Sequence, residues 1–130
     1  MKLWRRKTAR AYIFDPEKRL FLLAKSSLPP FHTHLPGGGI NRGESPEEAV
    51  RRELREELHI QTENIISISY IESRKSTTMY IPHLDYIFLV IVKNVQVKLS
   101  WEIKEACWTQ PEALRDSENN SIINKAQSWK

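Results

Sequence analysis

The stretch LPGGGINRGESPEEAVRRELREELHI, residues 35–60, sets three glycines ahead of a charged segment that reads as one helix. Ser45 is placed to cap it, Pro46 suits the first helical position, and Glu48 completes a capping box with Ser45. Val50, Leu54 and Leu58 recur every fourth residue and mark the buried face. Glu53, Glu56 and Glu57 then fall within two turns of each other. Like charges three or four residues apart on a helix repel, at roughly 0.2–0.5 kcal/mol per pair. Something must offset that cost.

At about 100° per residue the three glutamates fan across one arc, with Glu57 beside Val50 at the edge of the apolar face. Arg51 and Arg55 point away from them. Glu47–Arg51 and Glu48–Arg52 have the spacing of solvated helix pairs, which accounts for the arginine face but not for clustered carboxylates at the core boundary. A hard divalent cation accounts for them better. Magnesium takes oxygen ligands, keeps several waters, and is usually held by one or two carboxylates plus substrate phosphates. Gly37, Gly38 and Gly39 suit the same picture, because bare backbone lets a carbonyl reach a metal or lets amides approach a phosphate. The stretch is not a Walker loop, and Arg42 breaks a dinucleotide-binding glycine pattern.

Outward from this helix the chain reads as a mixed sheet packed against helices, an α/β fold. Residues 8–14 form a strand, Asp15-Pro16-Glu17-Lys18 a turn, and residues 20–23 the returning strand of a hairpin. Residues 26–34, with Pro29-Pro30, read as a loop. Further strands are expected at 65–71, 85–92 and 106–109, a short helix from Pro111, and a helix over 118–129 with Ile122, Ile123 and Ala126 inward.

The 130 residues are expected to form a single domain, 1–130. A net charge of +4 suits an anionic partner, either a small metabolite or, less favoured, a nucleic acid. The one cysteine, Cys107, rules out an intrachain disulfide and favours a reducing compartment. No apolar run is long enough to span a bilayer, the longest being Tyr86–Val92, so a cytoplasmic protein without membrane attachment is expected.

Gly38, Glu44, Arg52-Glu53-Leu54, Glu56-Glu57 and Ile60 together resemble the Nudix box, G-x5-E-x7-R-E-U-x-E-E-x-G-U with U aliphatic. One defined position departs, where His59 replaces the last glycine. The box covers 23 of the 130 residues. Leu35-Pro36-Gly37-Gly38-Gly39 before it, and Glu105-Ala106-Cys107-Trp108 with Pro111-Glu112-Ala113-Leu114 near the end, are similar to family habits. The resemblance implies a Nudix-type α/β/α sandwich with a mixed β-sheet. It also implies hydrolysis of a nucleoside diphosphate linked to some other group, with Mg2+ as cofactor and Mn2+ a possible substitute. Carried over by position, Glu56 and Glu57 are metal ligands helped by the Gly38 carbonyl. Glu53 is a ligand or the acceptor of the water proton, Arg52 orients the carboxylates, and Glu44 supports the loop or contacts metal through water. A glycine just past a helix commonly takes the left-handed conformation, so the His59 departure touches loop geometry rather than the ligands.

Glu53 is the first choice of base, with Glu102 and Glu105 as alternatives for the base or a further ligand. Phe31, Tyr80 and Tyr86 are candidate stacking partners for a nucleobase. His32, His34 and His83 are candidate phosphate contacts, and zinc is not indicated. The expected substrate is a nucleoside triphosphate or related nucleotide, and the expected assembly a monomer or homodimer. Two other readings stand. One is RNA 5′-end pyrophosphohydrolysis, supported locally by Lys2 and Arg5-Arg6-Lys7, with steep salt dependence. The other is a non-catalytic nucleotide-binding regulatory Nudix domain, which the intact glutamates argue against.

Overall fold

Phe88, Val90 and Val92 point into one hydrophobic cluster, and Ile87, Leu89 and Ile91 into another. That alternation explains the long apolar run: a strand covered on both faces loses the usual polar alternation. The computed structural model describes residues 6–27, 33–78 and 81–129. Within them the order is β1 (Arg6–Asp15), β2 (Leu20–Ser26), β3 (Thr33–His34), β4 (Gly37–Gly39), α1 (Pro46–Leu58), β5 (Ile65–Thr78), β6 (Ile81–Val92), β7 (Ile103–Thr109) and α2 (Asn120–Gln127).

Among the described residues seven strands form one mixed sheet. β1 runs parallel to β6, from Arg6 opposite His83 to Phe14 opposite Ile91. The other pairings are antiparallel. β1 and β2 pair only near their hairpin, through Ile13–Asp15 and Leu20–Leu22. Beyond that they diverge, and the short strands occupy the fork, β4 on β1 and β3 on β2. Asp15 builds the hairpin turn by accepting the Glu17 and Lys18 N–H groups at 2.9 and 3.2 Å, which satisfies a buried carboxylate.

Each helix covers one face. Val50, Leu54 and Leu58 of α1 join Ala9, Ala11 and Ile13 of β1 in the first cluster. Ile122, Ile123 and Ala126 of α2 join Tyr12 and Phe14 in the second. This is an α/β/α sandwich.

The capping box forms as expected. Glu48 N–H donates to Ser45 Oγ at 3.1 Å, and Ser45 N–H donates to the Glu48 carboxylate at 2.9 Å. Because Glu48 is held there, the expected Glu48–Arg52 pair is replaced: Arg52 turns to Glu44, while Arg51–Glu47 does form, at 3.3 Å. His59 ends α1 in the left-handed region at φ 61°, ψ 32°. Its N–H reaches Arg55 O at 3.1 Å, and Ile60 N–H reaches Leu54 O at 3.2 Å, which turns Ile60 into the core.

Several boundaries differ from the expected ones. The segment read as a loop over 26–34 contains β3, a strand too short to show a period. β7 begins at Ile103 rather than 106, and β5 continues to Thr78, because both are edge strands, where charged and polar residues are tolerated. Pro111–Leu114 is a single 3-10 turn. The last helix is shorter than expected, Asn120–Gln127, since Asp116 accepts the Glu118 and Asn119 N–H groups and turns the chain before it.

Candidate active site

The three glycines form strand β4, and their backbone alternation builds one wall of the site. Ala11 N–H to Pro36 O at 2.9 Å and Ile40 N–H to Lys7 O at 3.1 Å bracket the pairing with β1. Antiparallel geometry then turns the polar groups of Gly37 and Gly39 away from β1. Gly37 N–H donates to Glu57 Oε1 at 2.9 Å, Gly37 O accepts from Arg10 at 3.0 Å, and Gly39 O accepts from Arg52 at 2.9 Å. A Cβ at position 37, where φ is +141°, would fall 2.0 Å from Ala9 O. A Cβ at position 38 would fall 2.7–2.8 Å from the Glu53 carboxylate. Gly37 and Gly38 are therefore required by close approach of β1 on one side and of α1 on the other.

Arg52 is the hub of α1's polar side. It donates twice to Glu44, at 2.6 and 2.9 Å, and to Glu53 at 2.8 Å and Glu56 at 3.2 Å. Charge-assisted bonds to four acceptor groups offset the repulsion that the sequence presents. The Arg52 guanidinium, with the Asn41 N–H, holds the Glu44 carboxyl down at about 2. The same carboxylates push the Arg52 pKa above its ordinary value. Glu57 is opposite in character. Burial pushes its carboxyl up to about 7, with Glu53 and Glu102 adding to the rise and the Gly37 N–H and Arg10 opposing it.

Glu53, Glu57 and Gly37–Gly39 line a recess of about 290 Å3, joined by Glu102, His34, Arg6 and Arg10. Glu56 lies outside that lining, with its side chain 56% exposed and turned to Arg52. Glu105 is exposed on β7 and accepts from the Cys107 thiol, so of the two late glutamates it is Glu102 that faces the recess. Phe31, Tyr80, His32, Lys2 and Arg5 lie outside the described residues. Tyr86 packs against the α1-side core beside Tyr70, with ring centroids 6.3 Å apart, and is not part of the lining.

From sequence Arg6 reads only as part of the basic cluster Arg5-Arg6-Lys7, and Arg10 belongs to no motif, because alternate cations of a strand form none. They line both this recess and a larger cleft of about 610 Å3 that continues over the sheet. Their signal was the two-residue spacing from Arg6 to Thr8 to Arg10, which puts all three on one face of β1.

Among the described residues no three of His, Cys, Asp and Glu already converge as a closed metal cage. The carboxylates that face the recess, Glu53, Glu57 and Glu102, are hard oxygen donors on an open fan with His34 beside them, and Gly38, lacking a Cβ, lets the Glu53 carboxylate lie against the glycine strand. That donor set fits magnesium, which retains waters and takes few protein ligands, better than a metal that demands a full protein cage.

A family model for the NUDIX domain matches residues 4–127. The chain belongs to the Nudix family. The nucleoside triphosphatases NudI of Escherichia coli and of Shigella flexneri are each 36% identical to it, over 70% of this chain and 70% of theirs. A Caenorhabditis elegans Ap4A hydrolase, solved as a binary complex, matches with a TM-score of 0.77 at 25% identity, covering 92% of this chain and 93% of that one. A MutT protein from Methanosarcina mazei Go1 matches at 0.72 and 25%, over 94% and 92%. The E. coli dihydroneopterin triphosphate pyrophosphohydrolase, at 0.76 but 14% identity over 92% of each chain, shares the fold. This Nudix chain is a pyrophosphohydrolase, an enzyme of phosphoanhydride bonds.

Proposed function

We propose that this Nudix enzyme is a magnesium-dependent hydrolase of nucleoside triphosphates or closely related nucleotides, cleaving a diphosphate linkage by attack of water on phosphorus. The observation that carries the reading is the recess that brings Glu53 and Glu57 against Gly37–Gly39 and sets Arg6 and Arg10 along the same wall. The similarity to NudI nucleoside triphosphatases supports the substrate class.

Glu53, Glu56 and Glu57 would hold the cation, Mg2+ or Mn2+; the Gly38 carbonyl expected to help them is turned toward β1, and among the three glycines it is Gly37 and Gly39 whose carbonyls face away from it. When bound, the cation neutralises phosphate charge and lowers the pKa of its water. The chain's own groups do the rest. Arg6 and Arg10 bind and orient the polyphosphate. Arg52 fixes the carboxylates so that little reorganisation is needed at the moment of reaction. Glu53 accepts the proton of the attacking water, with Glu102 the other carboxylate at the recess for that role. A cytoplasmic location goes with this reading, since Cys107 is a free thiol and among the described residues no helix is long and apolar enough to cross a membrane.

The test is product analysis by mass spectrometry after incubation with magnesium and a panel of compounds. The panel holds ordinary and oxidised nucleoside triphosphates, ADP-ribose, dinucleoside polyphosphates and 5′-triphosphorylated RNA, with Glu53→Gln run alongside. Cleavage of nucleoside triphosphates at a diphosphate, lost in the variant, is the expected result. Turnover confined to RNA or to a dinucleotide, or none at all, overturns the substrate class.

A further inference from the structure

The larger cleft is floored by cross-strand rows of the sheet. Thr8, Asp85 and Arg74 stand opposite one another on β1, β6 and β5, and Arg6, His83 and Ser76 form the next row. These rows lie on the α2 face, beyond the part that Ile122 and Ile123 cover. Arg74 is committed to the wall, bonded to Glu72, Glu118, Tyr12 and Asn119. Asp85 is different. Thr8, itself buried, donates its hydroxyl to Oδ1, and Ser76 donates to Oδ2 at 2.9 Å.

Two hydroxyl donors, one per oxygen, lock the plane of the Asp85 carboxylate without using its full capacity. Each carboxylate oxygen has about two lone-pair sites. The group therefore lines the cleft as a fixed pair of acceptors with no donor of its own.

The residues that the cleft shares with the glutamate recess say which end of a nucleotide arrives there. Arg6 and Arg10, shared with the glutamate recess, stand on β1, where phosphates would lie. Asp85 is one strand further and Ser76 two, at about 5 Å per strand. The group beyond the phosphates therefore meets Asp85. Guanine offers two adjacent N–H donors on its pairing edge, N1–H and the 2-amino group. Adenine and cytosine offer one amino group beside a ring acceptor. Uracil and thymine set one N–H between two carbonyls, which a carboxylate repels.

Resting on the nucleotide-hydrolase reading above, we infer that Asp85 is a specificity-determining residue that reads N–H donors on the nucleobase, with guanine its best match. A site built to hydrogen-bond a donor rejects a base that lacks it, because the remaining lone pairs of the half-buried Asp85 carboxylate then lose water without gaining a donor.

The experiment measures equilibrium binding of the non-hydrolysable α,β-methylene triphosphates of guanosine, adenosine, cytidine and uridine, with magnesium, to wild type and Asp85→Asn. Values of kcat/KM for the hydrolysable compounds are measured beside it. The expected wild-type order puts guanosine first and uridine last, separated by roughly 10-fold or more. Asp85→Asn, isosteric but carrying an amide donor, should lose roughly 10-fold on guanosine while uridine stays within about 3-fold. Ser76→Ala, at a more exposed position, should weaken the same preference by a few-fold and serves if Asp85→Asn does not fold. A wild-type order led by uridine, binding of none of the four, equal losses on all four bases, or no loss on any would overturn the inference. Base-selective binding without hydrolysis would sink the hydrolase reading and leave this one standing. Hydrolysis without base preference would do the reverse.

Discussion

A Cβ on Gly38 would sit 2.7 Å from the Glu53 carboxyl carbon, closer than carbon atoms can pack. The glycine strand β4 and helix α1 are thus matched to within a methyl group. Gly38→Ala should leave β4 able to form, since φ at 38 is not in the left-handed region, but should displace Glu53. A misplacement of about 1 Å costs roughly 100-fold in rate. The expected outcome is a fall of that order in kcat/KM with a melting temperature close to wild type. Gly37→Ala, which drives a methyl into the Ala9 carbonyl, should instead lower the melting temperature markedly.

Arg52 contacts Glu44, Glu53, Glu56 and Gly39 O through a planar fork of donors. Lysine keeps the charge but not the fork. Arg52→Lys should lose roughly 1.5–3 kcal/mol of stability, the range for bonds to charged groups. Denaturant melts and kcat/KM should fall together. A variant with both values unchanged would remove Arg52 from the role assigned to it.

In the metal-free protein, the Glu57 carboxyl is raised from an ordinary 4.5 to about 7 by burial. Between those values the folded state holds more protons than the unfolded chain, so Glu57's contribution is present below about pH 4.5 and lost as pH rises through about 7. Glu44, lowered to about 2 chiefly by Arg52, contributes above about pH 4.5 and is lost as pH falls through about 2. Glu57→Gln keeps an acceptor for Gly37 N–H without the titration. Melted in a chelator, it should match wild type near pH 4.5 and exceed it near pH 8. A gap of the opposite sign would mean that Glu57 is stabilised as the anion.

His59 holds φ 61° where the Nudix box has glycine. Left-handed backbone is disfavoured for residues with a Cβ. His59→Gly should raise stability by about 0.5–1 kcal/mol with kcat/KM unchanged, since His59 is absent from the lining of the recess. A calorimetric melt lower than wild type would show that the Gln61 contact, 3.3 Å from the ring, matters more than the backbone.

The sequence by itself determined α1 and its chemistry. Ser45, Pro46 and Glu48 are local signals, and the fourfold recurrence of Val50, Leu54 and Leu58 needs no distant partner to be read. The same locality made the Nudix box legible, and with it the family and the sandwich. The pairing of faces was legible only as a long apolar run, because a strand covered by α1 and α2 has no alternation to show. What only the tertiary structure decided is non-local. β4 was hidden because a three-residue strand of glycine has no pattern until β1 lies beside it. Arg6, Arg10, Asp85 and Ser76 become neighbours through the parallel register of β1 on β6 and the antiparallel register of β6 on β5. Register is fixed by which side chains both helices bury, and a one-residue slip would send every one of those groups to the other face.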